Sequence, residues 1–77
     1  MIETKSKRLC YFVLESITND KGDFVPCIAV EGEKGYNLTD WAWGNDYGVA
    51  DRLAIGRNEK MGIDKTEAMK IIASTIR

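Results

Sequence analysis

Two stretches of the chain are dense in apolar and β-branched residues, and a cluster of turn formers separates them. The first is Arg8–Leu9–Cys10–Tyr11–Phe12–Val13–Leu14–Glu15–Ser16–Ile17, and it gives way to Thr18–Asn19–Asp20–Lys21–Gly22. The second is Asp23–Phe24–Val25–Pro26–Cys27–Ile28–Ala29–Val30–Glu31. This pattern predicts a β-hairpin over residues 8–31, with Asn19 opening the turn and Gly22 taking a positive φ. Pro26 has no N–H to give a ladder, so it needs an outward-facing or bulged position. A turn at 19–22 places Leu14 near Ile28 and Phe12 near Val30. One face then holds Cys10, Phe12, Leu14, Phe24, Ile28 and Val30; the other holds Leu9, Tyr11, Val13, Val25, Cys27 and Ala29. Both faces are apolar, so both need cover.

Two later stretches follow a helical period. Val49, Ala50, Leu53 and Ala54 recur on one stripe, and Asn45 or Asp46 supplies an N-cap, predicting a helix over 46–61. Gly48 and Gly56 weaken that helix and permit close approach of a neighbour; Gly62 ends it. Asp64–Lys65–Thr66–Glu67 reads as a capping box for a second helix over 64–76, apolar through Ala68, Met69, Ile71, Ile72, Ala73 and Ile76, with Arg77 suiting the dipole at its end. The expected fold class is α+β in the order ββαα: one small domain, with an aromatic loop at 32–45 between hairpin and helices.

That loop holds both tryptophans of a 77-residue chain, Trp41 and Trp43, one residue apart. Alternate residues of an extended stretch point the same way, so both rings can share one surface. They either cover the hairpin or face a partner. In the second case Tyr36, Asp40, Trp41, Trp43 and Asp46 form a protein-binding set with the aspartates as its polar rim.

Size and charge narrow the function. A chain this short buries only about 60% of its unfolded surface, so good packing or a partner subunit is needed. Net charge is −1 but uneven: +1 over residues 1–22, −5 over 23–51 and +3 over 52–77. A basic partner suits the acidic middle, and so does the basic end of a second copy, which makes a homodimer an expectation. Nothing is long and apolar enough for a signal or a membrane span, giving a cytoplasmic expectation and no membrane partner.

Catalytic chemistry is not expected. The chain has no histidine, the commonest general base near neutral pH and the commonest metal ligand. Two cysteines without histidine make no zinc site, and the expected pairing sets them apart on opposite faces, reduced and packed. Gly44 and Gly48 fit no phosphate-cradling motif. No cofactor, metal or small-molecule substrate is therefore anticipated. The alternative to a protein partner is nucleic acid, held by Arg52, Arg57, Lys60, Lys65 and Lys70 of the helical part. Asp51 and Glu59 beside these cations, and Asp40 and Asp46 beside the tryptophans, weigh against it.

The run from Phe24 to Tyr36, then Thr39–Asp40–Trp41, Trp43–Gly44, 58–63 and 67–75, resembles a family of small uncharacterised proteins from bacterial genomes and mobile elements. The resemblance covers most of the chain. It implies a compact independent domain, for which a phage-borne inhibitor or accessory regulator is a fitting role, and it carries over no catalytic residue.

Overall fold

The turn at the hairpin tip forms as its residues predict. Asn19 Oδ1 accepts hydrogen bonds from the N–H groups of Lys21 and Asp23, and Gly22 sits at φ 85°. A computed structural model describes residues 8–75. Its elements are β1 (Leu9–Phe12), β2 (Cys27–Val30), β3 (Tyr36–Asn37), α1 (Tyr47–Lys60) and α2 (Lys65–Ser74). The strands form one antiparallel sheet in the order β1-β2-β3. The fold is α+β, with the strands preceding both helices. The expectations for Ile76 and Arg77 lie outside the described residues.

The register of the hairpin departs from expectation. The ladder pairs Leu9 with Val30, Cys10 with Ala29, Tyr11 with Ile28 and Phe12 with Cys27. Nearer the tip, Thr18 bridges Phe24. The first arm therefore carries three more residues than the second between these points. A turn absorbs them, closed by the Ile17 N–H to the Leu14 carbonyl at 3.1 Å. Buried Pro26 faces this interruption, where its missing N–H costs no ladder bond. Leu14 consequently leaves the sheet, and Ile28 pairs with Tyr11 instead.

The shift also moves the cysteines. Directly paired residues share a face, so Cys10, Phe12, Cys27 and Ala29 lie on one side of the sheet. Cys10 and Cys27 are diagonal neighbours there, not on opposite faces. Both are free and buried, and burial pushes both thiols above their ordinary range.

The loop expected at 32–45 contains the third strand. Tyr36 pairs with Ile28 and Asn37 with Cys27, and the Leu38 N–H extends the pairing to the Pro26 carbonyl at 2.9 Å. Gly35 makes the approach possible: a Cβ there would stand 2.5 Å from the Ile28 carbonyl oxygen.

Both helix starts match their sequence signals. Asp46 accepts from the Val49 N–H at 3.2 Å, and Asp64 from the Glu67 N–H at 2.8 Å. The Glu67 carboxylate does not close a capping box, because it pairs with Arg8, which also holds Glu31 at 3.0 Å. This ties the start of β1 to the end of β2 and the first turn of α2. Helix α1 ends in a Schellman motif: Ile63 N–H bonds the Asn58 carbonyl, Gly62 N–H bonds that of Glu59, and Gly62 takes φ 78°.

Two separate clusters cover the hairpin. Cys10 and Ala29 pack with Ile63, Ala68 and Ile71, against which Phe12 and Ile72 also lie. Val13 and Trp43 pack with Ala50 and Ala54, flanked by Tyr11, Phe24 and Trp41. Helix α1 thus turns Ala50, Ala54 and Asn58 inward and leaves Val49 and Leu53 exposed. The expected stripe of Val49, Ala50, Leu53 and Ala54 is half wrong. The glycines are not the close-approach points either: a Cβ at Gly56 would meet nothing, and one at Gly48 only the Asp46 cap.

Candidate functional site

The aromatic segment is bound to the hairpin by its backbone. The Phe24 N–H donates to the Gly44 carbonyl at 2.9 Å, and the Trp43 N–H donates to the Phe24 carbonyl at 2.8 Å. These bonds press Trp43 into the second cluster, where it is 8% exposed. Trp41 stays half-buried at the rim. The two indoles meet nearly edge-to-face at 5.6 Å, and Tyr11 completes a triad at 6.1 Å from each.

Helix α1 supplies the opposite wall. The Arg57 guanidinium lies 4.2 Å from the centre of the Trp41 ring and 5.6 Å from that of Tyr11. A groove of about 310 Å³ opens between Trp41, Trp43 and the helix residues Arg52, Leu53, Gly56, Arg57 and Lys60. Leu53 is 45% exposed, and Val49, one turn earlier on the same side, is 42% exposed. None of the ion pairs among the described residues uses Arg52, Arg57 or Lys60.

Asn58 fixes this wall to the sheet. Its side chain accepts from the Tyr11 N–H at 2.7 Å and donates to the Tyr11 carbonyl at 2.9 Å. Tyr11 lies on the free edge of β1, so one buried amide does there what another strand would do.

The expected protein-binding residues do not form one surface. Trp43 is core. Trp41 lines the α1 groove. Tyr36 is exposed on β3 and lines a different, larger hollow with Leu14, Ile28 and Ile72. Asp40 lies with Asn19, Asp20 and Asp23 on a shallow acidic surface near the hairpin tip. Asp46 is committed to the α1 cap. Neither aspartate lines the tryptophan groove. Of the five cations named for nucleic acid, Arg52, Arg57 and Lys60 share that groove; Lys65 lines the cleft between the helices, and Lys70 reaches Glu67 at 3.9 Å.

Val49, Leu53 and Asn58 were not anticipated as part of a site. Their signal is present only as helical position: 49 and 53 lie one turn apart, on the side opposite Ala54 and Asn58. Among the described residues no helix is long and apolar enough to cross a membrane, and no group of three or more acidic or cysteine side chains is placed to hold a metal ion. No family model, curated protein or solved structure matches the chain.

Proposed function

We propose that the protein is a non-enzymatic interaction module that binds a partner protein through the face formed by Trp41 and the outer side of α1. The observation supporting this is the orientation of α1. It buries two alanines and an asparagine while holding Val49 and Leu53 in solvent, with Leu53 lining the same groove as the half-buried Trp41. An aromatic anchor beside exposed aliphatics, ringed by charge, has the make-up of a binding hot spot. One setting for such a module is a mobile element, where it would act as an inhibitor or regulator that occupies a host protein. Self-association through the same face is a second form of the reading.

The test is affinity capture from the native host with the wild-type chain and with Leu53→Asp. Leu53 is exposed, so the variant keeps its melting transition. A partner lost with Leu53→Asp supports the reading, and a partner retained by both variants removes it. Sedimentation at micromolar concentration tests the homodimer against an 8.7 kDa monomer.

Nucleic acid remains the second reading, favoured by the convergence of Arg52, Arg57 and Lys60 on Trp41. It is weaker because Arg57 already occupies a face of Trp41, which base stacking would need. A labelled single-stranded oligonucleotide at low salt checks it.

A further inference from the structure

The charge of the tryptophan groove is opposite to what its neighbouring sequence suggests. Asp40 and Asp46 adjoin the tryptophans along the chain but do not line the groove. The charged residues that line it are Arg52, Arg57 and Lys60, on a protein whose net charge is −1. Its floor is apolar: Trp41, Trp43, Leu53 and the bare backbone at Gly56. Arg52 and Arg57 lie on either side of Leu53 around the helix, and Lys60 lies about two turns beyond it. Glu59 follows nearly the same helical direction as Arg52 but does not line the groove.

We infer that the groove takes an acidic segment of a partner protein in which apolar side chains alternate with carboxylates. The inference rests on the protein-binding reading and deepens it. Apolar side chains would lie on Leu53 and Trp41, continuing toward Val49, while carboxylates meet the three cations. Arg57 is prepared for this role. Stacked on Trp41, its planar fork is oriented before a ligand arrives, and arginine binds carboxylates in pairs of hydrogen bonds. A nucleic-acid strand fits less well, since three cations grip few phosphates and the ring face is taken.

The experiment uses the whole chain and a fluorescein-labelled twelve-residue peptide alternating glutamate with leucine and phenylalanine. Its controls are the same peptide with lysine for glutamate, and a labelled oligothymidine. Anisotropy at low salt should show the acidic peptide binding at least tenfold more tightly than either control. Raising the salt should weaken it. The Arg52→Gln/Lys60→Gln double variant leaves the Arg57–Trp41 stack in place, and it should lower affinity about tenfold with an unchanged melting transition. Equal binding of the lysine peptide, tighter binding of oligothymidine, or indifference to the double variant would overturn the inference. A host partner that depends on Leu53 but not on Arg52 and Lys60 would sink this inference alone and leave the protein-binding reading standing.

Discussion

At the scale of single residues, Asn58 has the largest consequence for its size. Its amide is the partner of both polar groups that Tyr11 turns away from β2. Removing it leaves a part-buried N–H and C=O without protein partners, each costing toward the low end of about 1–3 kcal/mol. Asn58→Ala should therefore destabilise the protein by about 2–4 kcal/mol in a denaturant melt. Asn58→Asp should do no better, because a carboxylate cannot donate to the Tyr11 carbonyl. Gly35 is constrained by space alone. A methyl group at 2.5 Å from the Ile28 carbonyl oxygen must push β3 away from β2. Gly35→Ala should cost about 1–3 kcal/mol, with exchange protection lost first at the Leu38 N–H. The cysteines add a pH dependence. Both thiols titrate above their ordinary value of 9.0 in the folded state because burial disfavours the thiolate. Above that value the unfolded chain has released protons that the native state still binds, so stability falls as pH rises. Denaturant midpoints measured upward from pH 8 should drop, and the drop should shrink in Cys10→Ala/Cys27→Ala.

At the scale of elements, the parts legible in the sequence are those fixed by local chemistry. Asn19 and Gly22 make the hairpin tip, Asp46 and Asp64 cap the helices, and Gly62 stops α1, each through bonds spanning a few residues. The hairpin register was not legible. The turn at 14–17 has neither glycine nor proline to announce it, and it forms because Pro26 opposite cannot pair. Strand β3 is two residues held by distant backbone groups, so it leaves almost no periodic trace. The face of α1 was misread because its small residues go inward and its large aliphatics outward, the reverse of what hydropathy favours. That inversion gives Gly56 a double meaning. A Cβ there meets nothing, so Gly56→Ala should stabilise the helix by about 1 kcal/mol. The same methyl enters the groove floor, so partner or peptide affinity should change while the melting temperature rises.

At the scale of the whole molecule, the tryptophans divide between support and contact. Trp43→Ala empties a buried site in the second cluster and should cost about 3–5 kcal/mol, enough to unfold much of a domain this small. Trp41→Ala removes a half-buried ring and the stacking surface of Arg57, and should cost less while abolishing partner capture. Circular dichroism melts beside capture assays separate the two. The site was legible in part: the sequence singled out the tryptophans, but the acidic rim expected for them came from chain neighbours. Space around Trp41 belongs to α1, whose cations lie eleven to nineteen residues from Trp41 in sequence and meet it through the fold.

The division of the interior into two clusters also equips the protein with two independent reporters. Both indoles belong to the cluster around α1, while the Cys10 thiol belongs to the cluster around α2. With Cys27 replaced by alanine, indole emission and labelling of Cys10 therefore read opposite halves of the same molecule. The first strand sends Tyr11 to one half and Cys10, its neighbour, to the other, so the two halves share that strand. If this shared strand couples them fully, the two signals will trace one unfolding curve. Any gap between the curves measures, in denaturant concentration, how far one half survives without the other.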